Sequence, residues 1–122
     1  MSNLPPMQES EPVIDLQPAL ARLGNDAGLL RDLAYFYLED GVTLLNEVAR
    51  GLEEQDAELV TRSAHSLKGL SANFDAHQAV AVSLEVEQLG KREDLSAAAA
   101  AYSRLRESVE QVMQALQEDV LK

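Results

Sequence analysis

The sequence predicts an all-α protein: an antiparallel up-down-up-down four-helix bundle with a short extra N-terminal helix. Three observations carry this expectation. Apolar residues recur three and four positions apart through four long stretches, the period of a helix buried on one face. The breaks between those stretches are short and carry Gly, Asn or Asp, as connections between antiparallel neighbours do. Alanine and leucine are abundant, aromatic residues make up only 4% and Trp is missing, which suits helix-on-helix packing better than a sheet.

Each element has a local reason. Residues 1–13, with Pro5, Pro6 and Pro12 among Ser, Gln and Glu, read as a disordered lead, and residues 14–122 as the bundle. Asp15 is placed to cap a short helix reaching Leu23, with Pro18 tolerated in its first turn. Gly24-Asn25 ends that helix. A second helix is expected from about Asp26 to Leu52, with Leu30, Leu33, Tyr37, Leu44, Val48 and Leu52 inward and Gly41 as a site of bending. Asp56 caps the third. Asp75-Ala76-His77-Gln78 has the form of a capping box, with Asp75 at N-cap and Gln78 at N3. The fourth helix it opens runs to about Leu89, where Gly90 stops it. Asp94 starts the last helix, through Leu116 or beyond. Leu95, Ala98, Tyr102, Leu105, Val109, Val112 and Leu116 form its stripe, and Ala97 to Ala101 is strong helix former.

At 122 residues and 46% hydrophobic content, the chain supports one domain with one core. It has no apolar run of eighteen residues to cross a membrane and no evident signal peptide. It has no cysteine, hence no disulfide framework or thiolate metal site. A cytoplasmic protein fits. The net charge of −11 argues against nucleic acid as a partner. The charge is also uneven. Residues 1–60 hold twelve acids and three bases, and residues 93–122 six acids and three bases. Residues 61–92 hold three acids and four bases. The one segment that is not acidic contains His65.

On the third helix, Val60, Ser63, Leu67, Leu70 and Phe74 share a stripe that lies about 180° from His65 at 100° per residue. The histidine therefore points away from the core. Glu58, Thr61, Arg62, Lys68, Gly69 and Ala72 all lie within about 60° of its direction. Gly69 is one turn on, in mid-helix, where glycine costs roughly 1 kcal/mol against alanine. Small residues there leave open space beside the imidazole. Lys68, three residues on, brings an ammonium within reach of anything attached to the ring. Phosphoryl transfer asks a protein mainly for positioning and charge compensation. The helix dipole contributes little at mid-helix, so a side-chain cation must supply the charge. A lone histidine is ordinarily a surface or core residue; the angular position removes the core option, and the Lys-Gly context favours a reactive role.

The run Ala64-His65-Ser66-Leu67-Lys68-Gly69 resembles the signature of histidine-containing phosphotransfer (HPt) domains of bacterial two-component phosphorelays. The likeness extends from about Ile14 to Leu116 as a run of helices of matching length. The family usually closes this stretch with glycine and then alanine, where this chain has Asp75-Ala76. The resemblance implies that His65 accepts a phosphoryl group from a receiver-domain aspartate and passes it to another. It implies partners in the receiver domains of a hybrid sensor kinase or a response regulator. The chain itself would be a monomer with no kinase activity and no cofactor, the Mg²⁺ belonging to the receiver. In such domains a polar residue on the neighbouring helix bonds the non-phosphorylated ring nitrogen. By ungapped matching that residue is Glu87, where glutamine is common in relatives; a carboxylate would fix the tautomer. Read without the resemblance, Glu87 and Lys91 are an ordinary surface i,i+4 pair. Lys91 and Arg62 are further cations for the phosphoryl group. Leu16 and Leu20 are candidates for the receiver-docking surface.

Two other readings compete. One is an HPt-like interaction bundle whose histidine is unused. The other is a metal site from His65, His77 and Glu85, which lacks an i,i+4 pair of histidines. His77 falls in the first turn of a helix, where the dipole disfavours positive charge, and no Lys-Gly follows it. No Walker loop or other glycine-rich nucleotide loop is present, so the chain is not a kinase by itself.

Overall fold

A computed structural model of the chain describes residues 12–122. Its five helices are α1 (Leu16–Arg22), α2 (Ala27–Glu53), α3 (Ala57–Ala72), α4 (His77–Lys91) and α5 (Leu95–Asp119). There is no strand among the described residues. The expected lead falls, as far as residue 11, outside the described residues; Val13 and Ile14 already pack on the core.

Three helix starts follow from local chemistry. Asp26, Asp56 and Asp94 each accept a bond from the backbone N–H three residues on, from Leu29 at 3.0 Å, Leu59 at 3.1 Å and Ala97 at 3.2 Å. Each carboxylate satisfies a donor that has no partner inside its helix. Asp15 stands at the N-cap of α1 with extended backbone, but its side chain makes no capping bond.

Two expected boundaries need correction. Asp75 is not the N-cap of α4; that place is held by Ala76, without a side-chain cap. Asp75 has φ +50°, and its carboxylate accepts from Arg22 at 3.2 and 3.3 Å. The turn needs a left-handed residue, which glycine supplies freely and aspartate tolerates. Gly90 does not stop α4, which runs on to Lys91 before the chain turns at Glu93 with φ +59°. Gly90 is buried against α3 instead. A Cβ there would lie 3.1 Å from the Thr61 backbone nitrogen and closer still to Thr61 Oγ1.

Around the core, α2 packs on α3, α3 on α4 and α4 on α5, and α5 returns to α2. The inward positions of α2, α3 and α5 are those of the stripes: Leu30, Tyr37 and Val48; Val60 and Leu67; Leu105, Val109, Val112 and Leu116 are buried, as is Phe74 in the turn after α3. Leu33, Leu44, Leu52 and Leu70 are half-buried. Each fully buried Val, Leu or Phe contributes roughly 1.5–3 kcal/mol. Tyr37 meets Phe74 edge-on, centroids 5.8 Å apart, and shares a 2.9 Å hydrogen bond with Ser71. Burial pushes the Tyr37 hydroxyl up to about 12 against the opposing pull of Ser71, so this core bond stays uncharged. Gly41, expected to bend α2, lies within an unbroken helix. A Cβ there would meet Met113 Cε at 2.6 Å, the movable end of a flexible side chain, and otherwise only ordinary contacts with Val109 and Tyr37.

The short α1 is pinned across one end. Asp15 N–H donates to Phe74 O at 2.9 Å. Arg22 donates to Asp75 and to the carbonyls of Ala72 and Asn73, both at 3.2 Å. Leu16 and Leu20 line a groove of about 270 Å³ with Leu30 of α2 and Val120 after α5.

Candidate functional site

His65 stands in the middle of α3, its side chain 64% exposed, while Ala64 and Leu67 beside it are buried. The neighbouring wall is α4. Gly90 lets α4 approach Thr61, one turn before His65. One turn back along α4, that approach sets Glu87 against the ring. Glu87 Oε2 lies 2.9 Å from His65 Nδ1. Lys68 Nζ lies 2.9 Å from Oε1 and Lys91 Nζ 3.6 Å from Oε2. The Glu87 side chain is only 5% exposed, so one covered carboxylate gathers a ring and two ammonium groups.

A charge is kept out of water only when it is paired. Burial works to raise the Glu87 carboxyl, but the contacts with Lys68 and His65 outweigh it and hold it below the ordinary carboxylate range. At neutral pH it is ionised and can only accept. Nδ1 must then donate, and in the neutral ring Nε2 keeps its lone pair on the edge away from Glu87. The arrangement leaves one nitrogen of the neutral ring with a free lone pair and fixes which one.

Beyond that edge the surface is open. A Cβ placed on Gly69 would have no atom within 4 Å. A groove of about 490 Å³, lined by Asp40, Thr43 and Leu44 of α2 and by Ser66, Gly69 and Leu70 of α3, runs alongside. Of the residues singled out in the sequence, His65, Lys68, Glu87 and Lys91 converge and Gly69 flanks them. Arg62 is exposed on α3 and takes no part in the Glu87 cluster. His77 is exposed at the first position of α4. Among the described residues no three His, Asp or Glu side chains are placed to hold a metal, and Glu85 pairs instead with Arg104 at 2.8 Å.

Sequence reasoning missed the apolar residues outside the α2 stripe. Leu29, Tyr35, Phe36 and Val42 are exposed, Phe36 by 54%. Leu29, Phe36, Asp40 and Thr43 are spaced seven, four and three apart, so they share one side of α2. Asp40 and Thr43 line the groove beside Gly69, and Phe36 and Leu29 continue that side. The signal was available as large apolar side chains that fit no core stripe. Leu16 and Leu20, by contrast, pack half-buried on the core.

The pattern of the Hpt domain family matches residues 32–115, a span that includes the whole Glu87 cluster. The chain belongs to the Hpt domain family. The crystal structure of histidine-containing phosphotransfer protein B (HptB) from Pseudomonas aeruginosa PAO1 shares the fold with a TM-score of 0.82 at 24% identity, covering 92% of this chain and 97% of that one. Among curated proteins, none matches. As an Hpt domain the chain has a histidine phosphotransfer role in a phosphorelay, that of a carrier working with receiver domains. No helix among the described residues is long and apolar enough to cross a membrane.

Proposed function

We propose that His65 is the phosphoacceptor of this Hpt domain, taking a phosphoryl group from one receiver aspartate and handing it to another. The observation that carries this reading is the 2.9 Å contact from Nδ1 to the Glu87 carboxylate, which leaves Nε2 as the outward nucleophile. Nε2 attacks the phosphorus of the receiver's aspartyl phosphate. The N–P bond forms as the P–O bond to aspartate breaks, and the carboxylate leaves with the electron pair. The proton stays on Nδ1, so the ring's new positive charge lies against Glu87, as an imidazolium lies against the aspartate of a catalytic triad. The second transfer is the reverse of the first. The Mg²⁺ belongs to the receiver, and the chain has no kinase activity of its own.

Around that step, Gly69 keeps the approach clear, Lys68 pairs with the Glu87 carboxylate that holds the ring, and Arg62 stands at the edge of the same face. We place the receiver on the α2 side, over the groove beside Gly69, with Leu29 and Phe36 as its apolar contacts. We further infer that α2 to α5 alternate in direction, up-down-up-down. Contacts of α1 with the start of α2, the α3–α4 turn and the end of α5 support this, since they gather those points at one end. Monomeric action in the cytoplasm completes the proposal.

Incubation with a phosphorylated receiver tests it. His65 alone should be labelled, giving an acid-labile, base-stable phosphate. His65→Gln should end labelling and change stability by no more than about 0.5 kcal/mol, because the ring is outside the core. Full labelling of that variant would remove His65 from the mechanism.

A further inference from the structure

We infer that Glu87 divides its two lysines between different tasks. Lys68 stays on the carboxylate and holds it against the His65 ring, whereas Lys91 leaves it for the phosphoryl group once His65 is phosphorylated. This deepens, and rests on, the reading of His65 as the phosphoacceptor.

The two lysines are not equivalent. Lys68 takes Oε1 at 2.9 Å and is 28% exposed. Among the described residues Oε1 has no partner but this ammonium, so its loss would strand a covered charge. Lys91 shares Oε2 with the ring, at 3.6 Å and 63% exposed, beyond hydrogen-bond range. It is the last residue of α4, and its four-carbon stem can carry the ammonium several ångströms without moving the helix.

Phosphorylation inverts the balance at Oε2. Before it, the carboxylate draws fixed positive charge from the two lysines. After it, the ring is cationic through Nδ1–H, so the same oxygen faces a positive charge at 2.9 Å. The second lysine becomes surplus on the carboxylate, while the phosphoryl group on Nε2 brings up to two negative charges with no cation bound to it. A glutamine at position 87 would carry no charge with which to retain Lys91 beforehand. The carboxylate of this chain therefore stores a cation beside the ring and gives it up when the ring is modified.

Phosphoramidate, a small phosphoryl donor, serves as the probe on the full chain in a His77→Gln background, so that His65 is the single histidine. The ³¹P resonance of the phosphohistidine is titrated, and ¹⁵N shifts of the unmodified ring report its tautomer. A nearby ammonium favours the ionised phosphoryl group. Lys91→Gln should raise the phosphoryl midpoint by roughly half to one pH unit, a three- to tenfold change in proton affinity, with the ring tautomer unaltered. Lys91→Arg should restore it. Lys68→Gln should disturb the ring tautomer instead. A midpoint unmoved by Lys91→Gln overturns the inference, as does a shift produced by Arg62→Gln in its place. So does a tautomer that changes with Lys91 and not with Lys68. If His65 takes no phosphate at all, the reading beneath it fails as well; if it does and Lys91→Gln is silent, only the division of lysines falls.

Discussion

Gly69 and Gly90 sit in the last turns of neighbouring helices, α3 and α4, both in the segment that is not acidic, and they are there for opposite reasons. Around Gly69 nothing lies within 4 Å of where a Cβ would be; at Gly90 the Cβ would run into Thr61. The space at Gly90 is used by the protein itself. The space at Gly69 is used by none of the described residues, and in the proposed function it admits the receiver. The two are connected. Thr61 and His65 are one turn apart on α3, and Glu87 and Gly90 one turn apart on α4. The close approach at Gly90 is therefore what sets Glu87 against His65. One glycine builds the site and the other keeps it open.

The largest expected effect tests the first half of that statement. Gly90→Ala forces α4 away from Thr61 and should cost about 1–3 kcal/mol, the range for overpacking a tight contact. It should also loosen the Glu87 contact and slow labelling of His65. Chemical denaturation and receiver-to-His65 transfer on the same variant check both. Unchanged stability would mean that the α3–α4 approach does not depend on glycine.

Asp75 supplies a third reason for glycine, the backbone. Its φ of +50° is one that glycine adopts without strain, and Arg22 pairs with the aspartate that stands there. Asp75→Ala keeps the strain and loses Arg22, a cost of about 1–2 kcal/mol. Asp75→Gly relieves the strain while losing the exposed ion pair, so it should stay within about 0.5 kcal/mol of the parent. Equal melting temperatures for the two variants would break this account of the turn.

These positions show where sequence reading succeeds and stops. Asp56 was legible as a cap, and Asp26 and Asp94 as helix starts, because a cap involves residues three apart; Asp15, read in the same way, makes no capping bond. The stripes were legible because the helical period decides burial. Asp75 and Gly90 were misread because their roles depend on Arg22 and Thr61, which are distant in sequence. Glu87 was placed by family likeness; only the packing of α4 reveals that Lys68, expected to point at the phosphoryl group, is already bound to the carboxylate. Leu29 and Phe36 were visible as misfits of the stripe, yet their relation to the groove required knowing which side of α2 faces α3.

A smaller effect follows from the same approach of helices and is read through pH. The Glu87 carboxyl is held below its ordinary value in the folded protein. Its ionised form is then favoured by folding, and its stabilisation is complete above the ordinary carboxylate pKa. That contribution is lost as pH falls through the lower, folded value. Glu87→Gln should remove this part of the acid destabilisation while leaving the rest. Melting curves from neutral pH downward check it: the gap between parent and variant should shift in the variant's favour on acidification. A constant gap would mean that the carboxylate gains nothing from its partners.

The smallest stability change belongs to Gly69, and its sign completes the comparison. Gly69 lies in the last turn of α3, and glycine within a helix costs roughly 0.5–1 kcal/mol against alanine, because it loses more backbone freedom on folding. With no atom within 4 Å of the added Cβ, nothing opposes that gain, so Gly69→Ala should stabilise by about that amount. The same substitution at Gly90 should destabilise, and opposite signs for one chemical change on adjacent helices identify the two kinds of space. Alanine is small enough to leave some transfer to His65. Gly69→Gln keeps helix propensity close to that of alanine but extends a side chain into the approach, so the bundle should stay folded while phosphorylation by the receiver is blocked. Thermal unfolding and transfer kinetics on both variants separate the two effects. A glutamine variant phosphorylated at the parent rate would show that the opening beside His65 is not the receiver's path, and glycine's cost at this position would then be left without a cause in this face of α3.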